Sequence, residues 1–404
     1  MQQPYFLNEA GNKKMKDGIM LWYAGKNPFI KSITGTDVTV HSTYNGEPVT
    51  QNYPSLNNAA IALQADPNTE VYVEGTITKM ENTLSEKRIV CNNTALTSLY
   101  CKTPYLTSIE LRENTLLSSI ECFDNDSLTS LDLSGNTALT TLDCNECEKL
   151  KSIILINNTS LEEINTDYSY YELTSLYLSG NTALTTLNFS SYTGLTSLYL
   201  SGNTALTTLN CSSCTGLTSL DLSKNTALTT LDCSSCTGLT SLDLSKNTAL
   251  TTLDCSSCTG LTSLDLSGNT ALTTLDCGSC LGLTSLDLSK NTALTNAQCY
   301  SCTGLTSLDL SKNTALTDLD CHSCTGLTSL DLSKNTALTN VQCYSCYSIE
   351  TIKYVAQNTD VATNIAGLIS EAFATDGNVY CKGTYSSTVQ TAATSKGWTY
   401  HTLE

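Results

Sequence analysis

Leucines return along the chain in the pattern L-x-x-L-x-L, and from Leu106 to about Ser348 that pattern repeats as eleven copies of one unit, clearest as LTSLDLSKNTALTTLDCSSCTG. Copies begin at Leu106, Leu128, Leu150, Leu173, Leu195, Leu217, Leu239, Leu261, Leu283, Leu305 and Leu327, a step of 22 residues broken once by a step of 23 at Leu150 to Leu173. A partial copy runs from about Arg88 to Tyr105. A fixed period of this size marks a solenoid, in which each unit packs mainly on its two neighbours.

Within a unit the halves LTSLDLSKNTA and LTTLDCSSCTG echo each other, so each coil is expected to carry two short strands. The two-residue periodicity of an extended chain turns Leu220 and Leu222 inward and Ser219 and Asp221 outward; in the second half Leu231 and Cys233 point inward, Thr230 and Asp232 outward. Stacked coils then form two parallel sheets facing across a narrow core, a rod roughly 50 Å long at about 4.8 Å per coil. One coil buries about six apolar side chains, worth on the order of 10 kcal/mol, which does not offset the entropy of fixing its backbone, so only the stack is stable. Asn225 and its equivalents stand at the turn after the first strand, where an amide satisfies backbone groups of its own and the adjacent coil.

The motif L-x-x-L-x-L-x-x-N resembles the signature of leucine-rich repeats, and the nested 11-residue echo resembles the bacterial type found in Bacteroidetes. The resemblance covers about 240 of the 404 residues. It implies a leucine-rich-repeat β-solenoid of 22-residue coils with two short parallel sheets, acting as a non-enzymatic scaffold for a protein or, in some members, a glycan.

Both ends depart from the repeat. Residues 1–85 predict a small α/β cap: a helix over Asn8–Leu21, a turn at Asn45-Gly46, a helix over Asn58–Ala65 and a strand over Val71–Met80. The solenoid then occupies 86–348. Residues 349–404 predict a second α/β cap with a helix over Asp360–Phe373, a strand at NVYC, a helix in YSSTVQTAATSKG and a last strand in WTYHTLE. Such caps protect the open edges of a parallel stack.

Eight C-x-x-C pairs, from Cys144/Cys147 to Cys343/Cys346, have a spacing that formally fits four-cysteine zinc sites. The repeat explains the same spacing without metal: the first Cys takes an inward Leu slot and the second takes the Asn slot. One coil carries Phe189 and Tyr192 in those slots, and another Cys122 with Asn125. Phe cannot serve as a metal ligand, whereas Cys packs as a small hydrophobe. Packing is the favoured reading, with metal and disulfides as its alternatives, and no cofactor or metal site is assigned.

Charge narrows the function. Charged residues are 14% of the chain, 38 acidic against 20 basic, for a net charge of −18, which disfavours nucleic acid as a partner. Only three His are present, and no Gly-x-Ser-x-Gly, His-Glu-x-x-His or phosphate-cradling loop occurs, so an enzyme, a hydrolase for instance, ranks last. No stretch is long and apolar enough to span a bilayer, and the run Ile19–Ala24 falls short of a secretory core. The opening YFLNEAGNKK resembles the N-terminal attachment segments of some gut-phage tail proteins, giving a phage tail or receptor-binding protein as the alternative function. A cell surface or a virion is therefore the expected location.

Outward Asp columns, such as Asp221 to Asp331, are either solvated faces or an acidic surface for a basic partner or cation, with Lys224 and its equivalents offsetting part of the charge. Departures from consensus at outward positions carry more information. Tyr168, Tyr170, Tyr171, Tyr177 and Tyr199 form one candidate binding cluster, and Asn296, Gln298, Tyr300, Asp318, His322, Asn340, Gln342 and Tyr344 form a second; Tyr in particular suits interface anchors.

Overall fold

Buried leucine and cysteine on alternate residues make the coils wind as expected in the computed structural model. It describes residues 5–7, 13–15, 18–23, 29–63, 65, 70–82, 86–91, 93–166, 172–356 and 358–403. Contacts divide the chain into two units, Met1–Thr185 with Leu198–Thr204, and Thr186–Ser197 with Ala205–Glu404.

In the first unit the described N-terminal residues are β-structure. Gly18–Tyr23 lies antiparallel between Glu70–Asn82 and Glu86–Cys91, while Phe29–Tyr44 pairs with Glu47–Ala62 and with Glu70–Asn82. Asn45 and Gly46 form the expected turn, with φ of 53° and 76°. Two positive φ values in a two-residue loop match the twist of the strands it joins. Glu70–Asn82 contains the expected strand and starts the winding: Met80 is in parallel register with Leu99, and Ile89 of the next strand with Ile109.

Two helices expected here are corrected. In the span Asn8–Leu21, Lys13–Met15 and Gly18–Leu21 are strand; residues 8–12 and 16–17 lie outside the described residues. Ile19 and Leu21 are wholly buried two residues apart, each paired on both sides, and this cross-strand packing outweighs local helix preference. Asn58–Ala62 likewise belongs to a strand, with Ile61 buried opposite Ile30. The N-terminal cap is thus a β-structure among the described residues, not α/β.

Parallel strands of three or four residues follow every 22 residues or so. Ser98–Cys101, Ser119–Glu121, Thr141–Asp143 and Glu163–Asn165 form one sheet. Ser130–Asp132, Ser152–Ile154 and Ser175–Tyr177 form the other.

In the second unit one sheet runs through Thr186–Asn188, Thr208–Asn210, Thr230–Asp232, Thr252–Asp254, Thr274–Asp276, Asn296–Gln298, Asp318–Asp320 and Asn340–Gln342. The opposite sheet is narrower than expected. It is reduced to single bridges, Asp221 to Asp243 to Asp265 and Asp287 to Asp309, and widens again at Ser329–Asp331. Inter-coil bonds concentrate on the cysteine side, where the N–H groups of Thr230, Cys233 and Ser235 all donate to neighbouring coils.

Past the coils, Thr359–Glu371 is helical, capped by Asn358, whose Oδ1 accepts from the N–H groups of Asp360 and Val361. Strand Asn378–Lys382, helix Ser386–Lys396 and strand Thr399–Thr402 follow as expected, the second helix ending at left-handed Gly397.

Inside the coils the asparagines do what the repeat requires. Asn247 Nδ2 donates to the carbonyls of Leu222 at 3.1 Å and Asn225 at 2.9 Å, tying its coil to the preceding one. The second Cys of each pair takes over this role in the other half. Cys236 Sγ donates to the Cys211 carbonyl at 3.1 Å, and Cys324 to that of Cys299 at 3.0 Å. All twenty cysteines are buried, none in a disulfide, and the second thiols of the pairs form a hydrogen-bonded inner ladder.

Candidate functional site

Parallel register with a 22-residue period places residues i and i+22 side by side, so sequence departures in successive coils become columns on a surface. Asn296, Asp318 and Asn340 stand in one column; Gln298, Asp320 and Gln342 stand in the next. Just beyond the strand, Tyr300, His322 and Tyr344 stack face to face, with ring centroids 5.3 Å and then 4.6 Å apart. All eight residues of the second candidate cluster therefore form one outward patch in the second unit. Elsewhere on this sheet the same three columns hold Thr, Asp or Asn, and Ser or, once, Gly278, as in Thr252, Asp254 and Ser256.

His322 is held at both ends. Its ring lies between the two tyrosines, and its Nδ1 is 2.6 Å from Asp320 Oδ1. Tyr344 is the most open member, 46% exposed. Tyr300 leans over Gly278, where any side chain would collide with the ring: a Cβ would sit 2.3 Å from it. Gly278 replaces the Ser of other coils and clears the space that Tyr300 fills.

This arrangement perturbs a residue that the pattern alone does not single out. Burial pushes the Asp276 carboxyl up to about 6, helped by the carboxylates of Asp254 and Asp320 and opposed by the N–H of Gly278. Burial, with the charge of Asp276, also raises the Tyr300 hydroxyl.

A stability consequence follows. Because the folded value lies above the ordinary 3.9 or so, the native state holds more protons between about pH 4 and 6, and stability falls as pH rises through that window. Asp276→Asn should therefore stabilise the protein above pH 6 by about 1 kcal/mol after solvent screening, and the gain should vanish below about pH 4. Asn210 already occupies the equivalent position in the same sheet. Thermal melts of both proteins across this pH range provide the check; a gain independent of pH would refute the assignment.

The first cluster is described only in part. Tyr177 and Tyr199 stack with centroids 4.7 Å apart, and Tyr199 is 47% exposed, whereas Tyr168, Tyr170 and Tyr171 lie outside the described residues.

The Asp columns have a local structural task. Oδ1 of Asp221, Asp243, Asp265, Asp287 and Asp309 accepts the N–H two residues on at 2.8–2.9 Å, and these bonds to Ser hold the carboxyls below their usual range. Among the described residues, no group of three or more His, Cys, Asp or Glu is arranged to hold a metal ion, and no helix is long and apolar enough to cross a membrane.

Residues 276–366 match the BspA type leucine rich repeat region in 6 copies. No curated protein matches the sequence. Among solved structures, the functional domain of InlJ from Listeria monocytogenes, which includes a cysteine ladder, is 27% identical over 76% of this chain and 74% of its own, with a TM-score of 0.39. An internalin (inlF) of the same species is 16% identical over 74% and 84%, TM-score 0.35. A leucine-rich repeat protein from Bacteroides ovatus is 12% identical over 70% and 90%, TM-score 0.21. The leucine-rich-repeat match is thus to the coils within 276–366, and it is of the BspA type.

Proposed function

We propose that the protein is a non-enzymatic recognition scaffold that binds a protein or glycan partner at a cell surface through the outward face of strands Asn296–Gln298, Asp318–Asp320 and Asn340–Gln342. One observation carries this reading: three adjacent coils depart together from a nearly uniform array at outward positions, and the departures fall into three neighbouring columns. Inward Ala297, Leu319 and Val341 in the same strands remain buried and apolar, two of them smaller than the Leu of other coils, so the interior stays dry while the surface changes character. Repeats offer an extended, rigid platform, and local departures supply the discrimination that a uniform surface lacks.

Tyr300→Ser, His322→Ser and Tyr344→Ser, made together, restore the residue found at Ser234 and Ser256, so the triple variant is expected to fold. Arrays of cell-surface proteins and glycans probed with both proteins should show a partner whose binding the variant weakens by about tenfold or more, as expected for the loss of central aromatic anchors. Equal binding of every arrayed partner by the two proteins would reject this face as the binding site.

A further inference from the structure

We infer that the patch takes a neutral, linear glycan laid across the coils, an inference that rests on the recognition reading above and gives it a ligand class. The first ground is hydrogen-bonding chemistry. Elsewhere on this sheet the outward strand positions carry mainly Thr and Asp, whereas the coils of Asn296 and Asn340 each carry two side-chain amides, with the Oδ1 of Asn296 buried. A carboxylate only accepts, but an amide both donates and accepts, which matches the hydroxyl groups of a sugar. Among the described residues the side-chain amides of Gln298, Asn340 and Gln342 have no protein hydrogen-bond partner, so this capacity is open to a ligand.

The second ground is repetition. The coils of Asn296 and Asn340 present the same outward triad, Asn, Gln and Tyr, and the coil between them presents Asp318, Asp320 and His322. Equivalent triads are thus two coil rises apart, close to 10 Å at about 4.8 Å per rise. A chain whose own chemistry repeats at that interval, as an extended disaccharide repeat does, meets the same donors and acceptors twice. The Tyr300, His322 and Tyr344 rings, stacked face to face, line one side of both amide columns, and Tyr344, the exposed end of the stack, is the ring open to the apolar C–H face of a sugar.

The third ground is charge. In the coils of the second unit up to Ser348, Lys occurs only in the first half of each coil, at Lys224, Lys246, Lys290, Lys312 and Lys334, and Arg does not occur. The patch therefore has Asp318 and Asp320 but no cation apart from His322 when protonated. A sulfated or uronic-acid chain would be repelled, and a neutral one would not.

The test is calorimetric titration of the full chain with neutral hexasaccharides of glucose and of N-acetylglucosamine, with a heparin hexasaccharide and an octa-arginine peptide as competitors for the interpretation. Asn296→Thr, Gln298→Asp, Asn340→Thr and Gln342→Asp, combined, return the amides to the residues of neighbouring coils. The expected result is binding of at least one neutral hexasaccharide, weakened about tenfold or more by the amide variant, and changing less than about twofold when salt is raised severalfold, since no charge is engaged. Binding of octa-arginine alone, steeply salt-dependent, would overturn the glycan assignment in favour of a basic protein segment, and binding of heparin alone would overturn the charge argument. No binding of any neutral hexasaccharide, while the aromatic variant still loses its array partner, would overturn the glycan inference and leave the recognition face standing. Loss of neither would overturn both.

Discussion

Asn269→Ala should destabilise the solenoid by about 1–3 kcal/mol, and Asn269→Cys by about half as much. Asn269 is fully buried, and its Nδ2 donates to the carbonyls of Leu244 at 3.1 Å and Asn247 at 2.9 Å in the preceding coil. Alanine removes one of the two donors at each carbonyl, since the Asn247 N–H still donates to Leu244 and the Leu250 N–H to Asn247, so each lost bond costs roughly 0.5–1.5 kcal/mol. Cysteine in the matching slot of the other half already solves this problem with one bond: Cys258 Sγ donates to the Cys233 carbonyl at 3.1 Å and Cys280 to that of Cys255 at 3.2 Å. One recovered bond of two is the basis for partial rescue. Urea denaturation of the three proteins measures the ranking, and hydrogen exchange locates the loss, since a repeat stack need not unfold in one step. If Cys proves no better than Ala, the equivalence of the two ladders is wrong.

The interior was legible because the repeat makes neighbours in space of residues 22 apart. Leu220, Leu222, Leu231 and Cys233 are buried and Asn225 lies in the dry turn as the periodicity requires. The same rule turns the scattered departures from Asn296 to Tyr344 into one patch. Outside the array no such rule operates. Residues around Ile19 and Ile61 carry alternating as well as helical patterns, and only the pairing partners, Val73 and Cys91 for Ile19 and Ile30 for Ile61, decide between them. The C-terminal helices were readable from a strong local stop and start: an Asn cap before Thr359 and a left-handed Gly after Lys396. Asp276 reads in the sequence as one more outward Asp of its column, and Gly278 as a plain replacement of Ser; what sets them apart arises from the lean of Tyr300, one coil away, and no spacing rule encodes a rotamer. The narrowing of the Asp-bearing sheet to single bridges is likewise invisible, since both halves of the coil share the same apolar pattern.

Thiol reactivity should show the largest difference of all between native and unfolded protein. Thiolate is the reactive form, and here burial pushes the Cys214 thiol up to about 12 and that of Cys147 up to about 11. Contact with the Cys280 thiol, together with burial, raises Cys255 as well. Each second Cys also commits its proton to a carbonyl of the coil before, as Cys302 does to Cys277 at 3.2 Å. Reaction then requires coils to open, which slows it by on the order of a thousandfold or more relative to the unfolded chain. A chromogenic thiol reagent applied before and after denaturation, with elemental analysis of the same sample, addresses the central claim that leucines and free thiols fill a dry interior. The account predicts almost no reaction in the native protein, all 20 cysteines titrating once it is unfolded, and no bound zinc. Rapid labelling of the native coils, or zinc present in stoichiometric amount with the paired cysteines protected by it, would contradict it.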